Sequence, residues 1–460
     1  CSVPMSYLVL RGQGIKLTSY ICKKCNEKGY FMPTLSKVEP RSEVAFKRQR
    51  WKANGLSERP GGEASAAYEG AIVLDPKCGL YVDDPVACVD FSSLYPSAII
   101  SENISMDTKI QIIDKDLKGR VLRRVPETVK APPGHRLLEI EYDCYEWVKK
   151  SNSPSAANVK KKVGSRVCVF VQKKIERDET GRVVSETGVG VMPAILQELL
   201  AARKETRRLA KTIDDPFMKN VLDKRQLSIK ITANSLYGQT GAKTSTFYEL
   251  DCAASTTAVG RRLLTWARRS IETAYANKIV QVEGRDIHVN AEYVYGDTDS
   301  VFFKFNMSNL DGTKIVGREA LRLTIPLAKE AGKLATQPLK SPHDLEYEKT
   351  FWPFLLLSKK RYVGILHEDD PEKGKRKSMG IVLKRRDNAP IVKDVYGGVI
   401  DILMKGGKAG SASEFLNEAL GRIVAGETPM AKLIITKSLR SGYKNPCLLY
   451  TSPSPRDRSS

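Results

Sequence analysis

Alternating apolar and polar stretches predict strands and a short helix in the first hundred residues. Pro85–Asp90 is a short apolar run that ends on an acid, which is typical of a buried strand whose last residue emerges at a sheet edge. Upstream, Tyr68–Val82 is strand-like, with Ala71–Leu74 lying between turn residues. Ser92–Asn103 predicts a turn that leads into a helix.

The middle of the chain shows apolar residues at helical spacing. Pro193 marks the start of one helix, whose apolar stripe continues to Asp214. A second helix is predicted from about Phe217 to Tyr237. Because only Asp214-Asp-Pro216 joins them, the two helices should form an antiparallel hairpin.

Period-two patterning returns after the helices. Ala291–Tyr295 and Val301–Phe305 flank Gly296-Asp-Thr-Asp-Ser300, so they predict a β-hairpin with acids at its tip. Leu345–Lys349 and Lys360–Leu366 are predicted as further strands.

Two other regions give weaker patterns. From 107 to 190 the pattern is irregular, although Cys168–Gln172 and Arg182–Val184 predict a hairpin around Asp178-Glu-Thr-Gly181. Val392–Leu439 is predicted to be mainly helical, with Gly406–Gly410 as a loop.

Composition narrows the class of partner. The 460 residues include 75 Lys and Arg against 53 Asp and Glu, a formal net charge of +22. A hydrophobic content of 41% and a charged content of 28% exclude a disordered chain. The excess of positive charge favours a polyanionic partner, either nucleic acid or an acidic membrane surface. No apolar run approaches the ~18 residues of a membrane span, and no membrane association is expected.

The nine cysteines are scattered, which is typical of an intracellular, reducing compartment; nucleus and cytoplasm both stay open. Cys22-Lys-Lys-Cys25 has no second pair, so it favours two reduced cysteines on one helix over a zinc site.

Both ends are expected to be cuts, since Cys1 opens the chain without an initiator methionine. Cys447–Ser460 resembles a translated sequencing adapter and is expected to be non-native, with a genuine Ser/Pro-rich tail as the alternative.

Three acids stand at predicted strand ends and turns. Mg²⁺ prefers oxygen ligands, typically one or two carboxylates plus substrate phosphates. Asp90, together with Asp297 and Asp299, could hold two metals about 3.5–4 Å apart and stabilise an in-line phosphoryl displacement. Taken alone, two aspartates in a turn more often form an Asx-turn.

The predicted helical hairpin carries cations on one face of each helix. Lys230, Asn234 and Tyr237 are spaced i, i+4 and i+7, and Arg203 and Arg207 are spaced i, i+4. Such a face could clamp a triphosphate, and the tyrosine could stack on a base. A solvated basic face is the alternative.

A third basic cluster follows the strand predicted at Leu345–Lys349. It consists of Ser358-Lys-Lys-Arg-Tyr362, Lys373–Lys377 and Lys384–Arg386. These runs suit a salt-sensitive contact with a nucleic-acid backbone, although charge runs are usually only solvated.

Three long segments, in order, resemble motifs A, B and C of family B DNA polymerases. They are Asp90-Phe-Ser-Ser-Leu-Tyr-Pro-Ser97, Lys230-Ile-Thr-Ala-Asn-Ser-Leu-Tyr-Gly238 and Tyr295-Gly-Asp-Thr-Asp-Ser300. Further matches are Lys359-Lys-Arg-Tyr362, Tyr68-Glu-Gly-Ala71 and Arg385-Arg-Asp-Asn388. The resemblance spans nearly everything from Pro4 to about Ser438. The segment Ser101–Ser105 and the residues of these motifs, which are similar to those of delta-type polymerases, resemble the replicative polymerases of large double-stranded DNA viruses of algae and protists.

This resemblance implies an α+β right-hand polymerase fold, with an antiparallel palm sheet, helical-hairpin fingers and a partial helical thumb. The expected divisions are 1–66 before the palm, 67–192 as the first palm part with an irregular insert, 193–238 as fingers, 239–390 as the second palm part, 391–446 as partial thumb and 447–460 as the tail. The exonuclease domain of the family is expected to lie before this chain, and the thumb is expected to be truncated.

The implied function is template-directed DNA synthesis, by two-metal transfer of nucleotides from deoxynucleoside triphosphates to a primer 3′-OH. Two Mg²⁺ ions are implied, and Mn²⁺ is expected to substitute. Primer–template DNA and a sliding clamp or other processivity factor are the expected partners. The alternatives are an inactive nucleic-acid-binding module, a cellular delta-type catalytic subunit and an RNA-synthesising palm enzyme. A protein-primed member is disfavoured by Arg385-Arg-Asp-Asn388.

The resemblance also assigns residues to the metals. Asp90 and Asp299 would hold both ions, and Asp297 would have a supportive role. The backbone carbonyl of Phe91 would complete the metal shell. Glu348 matches an auxiliary acidic position.

A larger set would surround the nucleotide and the DNA. Main-chain amides at Ser93 and Leu94, with Arg203, Arg207, Lys230 and Asn234, would meet the triphosphate, and Arg207 stands where many members have lysine. Tyr95 would lie beneath the sugar and exclude a ribose 2′-OH. Tyr237 and Gly238 would line the nascent pair. The expected DNA contacts are Tyr68, Gly70, Lys359, Lys360, Arg361 and Tyr362.

Overall fold

The computed structural model describes residues 12–31, 46, 49–50, 67–149, 158–180, 183–384 and 388–435. The predictions for Arg385-Arg-Asp387, for both chain ends and for most of 1–66 lie outside these residues.

The strands of the described residues, numbered along the chain, are β1 Ala67–Tyr68, β2 Gly79–Tyr81, β3 Val86–Phe91, β4 Lys109–Lys115, β5 Val121–Val125, β6 Leu137–Lys149, β7 Asn158–Val171, β8 Lys174–Arg177, β9 Val183–Thr187, β10 Lys278–Val282, β11 Arg285–Val289, β12 Glu292–Asp297, β13 Ser300–Lys304, β14 Leu345–Ser358, β15 Arg361–His367 and β16 Gly374–Met379. The α-helices are α1 Gln13–Glu27, α2 Leu94–Ser101, α3 Val191–Thr212, α4 Pro216–Gly241, α5 Leu250–Ala274, α6 Gly317–Thr336, α7 Pro390–Met404 and α8 Ala409–Val424.

A seven-stranded sheet with antiparallel neighbours lies at the centre of the chain. Its order is β12-β13-β3-β14-β15-β16, and β2 pairs with part of β14. β3 is buried on both faces, as its run Val86–Val89 predicts, and it pairs with β13 on one side and β14 on the other. The predicted strand Pro85–Asp90, the acidic hairpin and the two later strands are therefore confirmed, although β14 runs on to Ser358.

Alternation along these strands separates two apolar faces. On one face, Val89 and Phe91 pack with α5 and α6 through residues such as Leu264 and Leu327. The opposite face carries an aromatic cluster of Phe302, Phe351, Phe354, Tyr295 and Tyr362, together with Val86 and Cys88. One face of the sheet is therefore covered by helices, and Asp90 emerges on the other.

The prediction of an irregular region from 107 to 190 was wrong. Most of this stretch forms an antiparallel five-stranded sheet of order β1-β6-β7-β4-β5. Its two central strands are unusually long for a globular protein, 13 residues in β6 and 14 in β7. The lysine run at 160–162 interrupts the apolar pattern of β7, which concealed that strand in the sequence.

Two smaller predictions were correct only in part. A turn does form at Asp178, whose Oδ1 accepts from the backbone N–H of Thr180 at 2.9 Å. It joins β8 to β9, however, whereas Cys168–Val171 ends β7 and pairs with β4 and β6. The strand expected at Ala71–Leu74 is reduced to an isolated bridge between Val73 and Asp297.

The helical hairpin of α3 and α4 is confirmed. Asp215 caps α4 by accepting from the backbone N–H of Phe217 at 3.0 Å, and Pro216 occupies the first turn, where a missing N–H costs nothing. Arg203 Nε donates to Gln226 Oε1 at 3.2 Å across the two antiparallel helices. At the base of α3, the amide of Asn103 accepts from the N–H of Gly190 at 2.9 Å.

The region after the sheet is helical, as predicted. α7 and α8 are separated by the short connection 405–408, which contains most of the expected loop Gly406–Gly410. Among the described helices, none combines the length and the apolar character that crossing a membrane requires.

A buried charge network joins the five-stranded sheet to α5. Asp251, in the first turn of α5, accepts from Lys109 Nζ at 2.8 Å, Arg166 Nη1 at 3.1 Å and the Tyr142 hydroxyl at 2.7 Å. Arg166 also bonds Asp114, which is fully buried. Burial by itself would raise the pKa of Asp251, but the charges of Lys109 and Arg166 prevail and hold it far below its ordinary value.

We expect Asp251→Asn to lower the free energy of unfolding by about 3 kcal/mol at pH 7, because two buried cations lose part of their compensation. The native carboxylate has a depressed pKa, so its stabilisation is present above about pH 4 and is lost as the pH falls further. Urea unfolding from pH 7 to pH 3 should therefore show the gap between the two proteins narrowing with acid. Exposed Asp286→Asn is the matched control, and an equal effect of both substitutions would contradict the role of the network.

Candidate functional site

The register of three strands brings acids from distant parts of the chain to one edge of the central sheet. Asp90, near the end of β3, lies opposite Ser300 on β13 and Glu346 on β14. Asp299 immediately precedes Ser300, so its carboxylate lies beside the end of β3. The predicted neighbours Asp90 and Asp299 thus come together because β3 pairs directly with the acidic hairpin.

The hairpin tip is held by backbone hydrogen bonds. Thr298 has a φ of 60°, and the N–H of Asp299 donates to the carbonyl of Asp297 at 2.7 Å, which closes a very tight turn. The N–H of Phe91 donates to the Asp299 carbonyl at 2.9 Å, and the N–H of Thr298 donates to Ile72 at 3.1 Å. These bonds fix the position of Asp299 relative to β3.

Glu348 reaches the acids through a bulge. β14 shifts register between Tyr347 and Lys349, which leaves Glu348 as the extra residue opposite β3. Its Oε2 accepts from the Cys88 thiol at 3.6 Å and from Lys349 Nζ at 2.7 Å. Lys349, which sequence reasoning missed, therefore places a cation against the acids.

The electrostatics of the edge reflect crowded negative charge. Burial, then the charges of Asp299 and Glu348, raise the pKa of Asp90 to about 7. Burial also raises the pKa of Asp299, with Asp297 and Glu348 adding to the shift. The positive charges of Lys349 and Lys230 act in the opposite direction on Asp90. Two partly buried carboxylates repel each other when both are ionised, which costs free energy, and a bound cation would reduce that cost.

Asp297 is held differently from the other two aspartates. Lys360 Nζ contacts both of its carboxylate oxygens, at 2.6 and 2.8 Å, and the Tyr295 hydroxyl donates to it at 3.2 Å. The backbone N–H of Lys360 in turn donates to the Tyr295 hydroxyl at 2.8 Å. The turn between β14 and β15 is thereby fastened to the acidic hairpin.

Among the other residues of that turn, Lys359 and Arg361 lie at the surface, where a DNA contact was expected, whereas Tyr362 does not. Lys359 pairs with Asp75 at 2.7 Å, and Arg361 is exposed. Tyr362 is only 8% exposed, and its ring packs 5.5 Å from that of Phe354 in the aromatic cluster. Its ring therefore anchors the turn from below and does not lie on the surface.

Beside the acids lies an aromatic stack formed by three predicted residues. The rings of Tyr95 and Tyr237 stack with centroids 4.3 Å apart. The hydroxyl groups of Tyr237 and Tyr68 lie 3.3 Å apart. Segments far apart in sequence, at the end of β1, at the start of α2 and on α4, thus meet at one place.

Two residues of α5 that the sequence did not single out support this stack. Arg261 Nη1 donates to the carbonyls of Glu69 at 2.7 Å and Gly70 at 3.0 Å, which holds the turn after Tyr68. A Cβ on Gly260 would lie 3.1 Å from the Tyr95 ring, so the bare glycine leaves room for that ring. Neither role has a local sequence signal.

The cations of the helical hairpin face the same edge of the sheet. The charge of Lys230, which is exposed on α4, acts on Asp90. The charges of Arg207 and Arg203 act on Glu346, at the start of β14. Asn234 and Gly238 are exposed on α4. Ser93 has a φ of 56° and immediately precedes α2, so the main-chain amides of Ser93 and Leu94 follow Asp90 closely along the chain.

The donor set suits a hard divalent cation that binds together with a substrate. Among residues 12–435 that the structure describes, no three Asp, Glu, His or Cys side chains form a metal cage by themselves. Asp90 and Asp299, beside the backbone of Phe91, instead offer a pair of carboxylates. Mg²⁺ commonly binds through one or two carboxylates and takes its remaining oxygens from water and substrate phosphates.

We expect Asp90→Asn to raise the free energy of unfolding by roughly 2 kcal/mol at pH 8 in the presence of EDTA, because the folded protein pays to ionise Asp90. The raised pKa means that this cost appears as the pH rises from about 4 through 7, so the gain should vanish near pH 4. Urea unfolding at both pH values is the measurement. Asp297→Asn, which loses its ion pair with Lys360, should give no such gain, and a destabilised Asp90→Asn would contradict the interpretation.

The sequence was compared with known proteins. The sequence model of DNA polymerase family B matches residues 3–448. A DNA polymerase of Pyramimonas orientalis virus is 39% identical over 97% of this chain and 35% of its own length. A DNA polymerase of Phaeocystis pouchetii virus is 46% identical over 74% of this chain and 30% of its own length. The DNA polymerase delta catalytic subunit of Candida albicans is 31% identical over 95% of this chain and 33% of its own length.

The chain thus spans about a third of the length of these relatives. The match covers the sheet that carries the acids, the helical hairpin and the helices after them. This chain belongs to DNA polymerase family B.

Proposed function

We propose that this chain performs template-directed DNA synthesis, adding deoxynucleotides to a primer 3′-OH during the DNA replication of a large DNA virus. The observation that carries the proposal is the meeting of Asp90 and Asp299 at one sheet edge, with the cation of Lys230 facing them. Phosphoryl transfer is catalysed mainly by positioning and by neutralising charge, and this edge offers both.

The proposed palm, fingers and thumb correspond to separate parts of the fold. The seven-stranded sheet acts as the palm, α3 and α4 act as the fingers, and α7 and α8 form part of the thumb. The five-stranded sheet is an addition to the first palm part. The network around Asp251 joins it to α5, and Asn103, which lies between α2 and β4, bonds both the end of β7 and the start of α3.

Asp90 and Asp299, with the carbonyl of Phe91, would hold two Mg²⁺ ions, and Mn²⁺ would substitute. When bound, the ions lower the pKa of the primer hydroxyl and neutralise the triphosphate and the leaving pyrophosphate. Glu348 and Lys349 adjust the charge at this edge. Asp297 acts as a positioning residue, because Lys360 and Tyr295 hold its carboxylate.

The triphosphate would lie between the acids and the helical hairpin. Arg203, Arg207 and Lys230 provide charge-assisted bonds to its phosphates, and Asn234 lies one turn beyond Lys230 on the same face. The start of α2 at Ser93 and Leu94 adds main-chain amides.

The sugar and base of the incoming nucleotide would lie against the aromatic stack. The Tyr95 ring stacks on Tyr237 and fits beside Gly260, and it occupies the space that a ribose 2′-OH would need. Gly238 and Tyr237 line the nascent base pair, and Tyr68 and Gly70 contact the DNA beside it. Lys359, Lys360 and Arg361 approach the duplex backbone, which positions the DNA without reading its sequence.

Primer extension with Mg²⁺ tests the proposed activity. The chain is expected to extend a primed template, and Asp299→Asn should lower the rate by at least about 100-fold because it removes one of two metal-binding carboxylates. The matched control is Asp311→Asn, since Asp311 accepts from the backbone N–H of Thr313 at 2.8 Å in an exposed turn and Asn can do the same. Extension that survives Asp299→Asn would overturn the site assignment.

Sugar discrimination tests the role of Tyr95. Tyr95→Ala should increase ribonucleotide incorporation relative to deoxynucleotide incorporation by about tenfold or more, because the space for the 2′-OH opens. Tyr95→Phe keeps the ring and should retain discrimination. Steady-state incorporation of a single ATP or dATP opposite thymine measures both variants. An unchanged preference in Tyr95→Ala would remove Tyr95 from the sugar pocket.

A further inference from the structure

The ends of β6 and β7 project beyond the five-stranded sheet as a two-stranded ribbon, residues 145–149 paired with 158–162. β4 accompanies β7 only as far as Ser165, and β1 pairs with β6 only at Cys144 and Tyr145. Cross-strand pairing nevertheless continues to Lys149 and Asn158. Beyond the pair Tyr145–Lys162, the ribbon is thus, within the described residues, a two-stranded extension with a defined register.

The register sorts the ribbon residues onto two faces. Trp147 lies opposite Lys160, and Tyr145 lies opposite Lys162, so these four share one face, here called the ribbon face. Glu146 lies opposite Lys161 on the other face. On that second face Glu146 is buried against Arg50, 2.8 Å away, whereas Trp147 on the ribbon face is exposed.

The ribbon face combines aromatic surface with positive charge. Trp147 is 44% exposed, so much of its indole faces solvent. Lys160 Nζ lies 4.4 Å from the centre of the Tyr145 ring, and Lys162 remains exposed while it pairs with Asp143. An exposed indole beside ammonium groups matches the two surfaces of a polynucleotide, which are the flat base and the phosphate.

The ribbon face is continuous with the proposed nucleotide pocket. Lys160 Nζ donates to the carbonyl of Tyr68 at 2.9 Å, and the Tyr68 hydroxyl meets that of Tyr237 in the aromatic stack. Lys160 thus contacts a neutral carbonyl and a ring, and neither of these neutralises its charge. Its ammonium group can therefore also bind a phosphate. A strand that leaves the nascent base pair beside Tyr68 would next meet Lys160 and Trp147.

We propose that the ribbon face binds the single-stranded template, with Trp147 stacking on an unpaired base and Lys160 contacting a phosphate. The proposal rests on the proposed DNA synthesis, of which it specifies the template path. A single strand is the occupant because its bases expose their faces for stacking, whereas those of a duplex are covered by their neighbours.

Fluorescence anisotropy on the full chain tests the proposal, using one labelled primer duplex with a template overhang of either one or twelve nucleotides. Trp147→Ala should weaken binding of the long-overhang DNA by about tenfold and that of the short-overhang DNA by less than twofold, because only the long overhang reaches the ribbon. Trp147→Phe should restore most of the loss. Lys160→Gln should reduce the salt dependence of long-overhang binding by about 0.7 in the log–log slope, the value for one single-strand phosphate contact.

Two control variants match these changes. Lys161→Gln alters the same charge on the other face of the ribbon, and Trp266→Ala removes another half-exposed tryptophan, on α5. Neither should discriminate between the two overhangs. The proposal is overturned if Trp147→Ala weakens both DNAs equally or weakens neither.

Primer extension by the parent chain separates this proposal from the broader one. If the parent chain extends primers and the Trp147→Ala variant binds the two overhangs with the same preference as the parent, the template path is wrong and the proposed synthesis stands. If the parent extends no primer but loses overhang-dependent binding with Trp147→Ala, the ribbon face binds single strands and the proposed synthesis fails.

Discussion

Strand β3 exchanges backbone hydrogen bonds with β13 on one side and with β14 on the other, and that pairing positions the acids of the site. Its register sets Asp90 beside Ser300 and therefore beside Asp299. The bond from the N–H of Phe91 to the Asp299 carbonyl adds a direct tie between strand and turn. A slip of one residue would turn Asp90 toward the helices α5 and α6 and would remove the site.

This arrangement concentrates charge that the fold must tolerate. The pKa of Asp90 rises to about 7 because the carboxylate is partly buried near two others. The cations Lys349, Lys360 and Lys230 reduce the repulsion from three different elements. The site is thus less stable than an apolar edge would be, which agrees with the proposal that a cation and a triphosphate bind there.

The five-stranded sheet holds α5, the helix that packs against α4 of the helical hairpin. Its strands contribute Asp114, Tyr142 and Arg166 to the network that ends on Asp251 of α5. α5 also carries Gly260 and Arg261, which locate Tyr95 and the turn after Tyr68. This buried ionic cluster thereby fixes the helix that packs against the proposed nucleotide pocket, and the long strands of the same sheet extend into the ribbon face.

The sequence by itself determined the local elements and the main chemistry: the buried strand at Asp90, the hairpin at Asp297 and Asp299, and the helical pair with Lys230 are each coded by short-range patterns. Only the tertiary structure decided which side chains meet. The bulge at Glu348, the Lys360–Asp297 pair, the burial of Tyr362 and the contact of Arg261 with Gly70 depend on strand register and on helix packing. The five-stranded sheet escaped prediction for the same reason, because the pairing of β6 with β7, and not their own alternation, makes lysine-rich segments into strands.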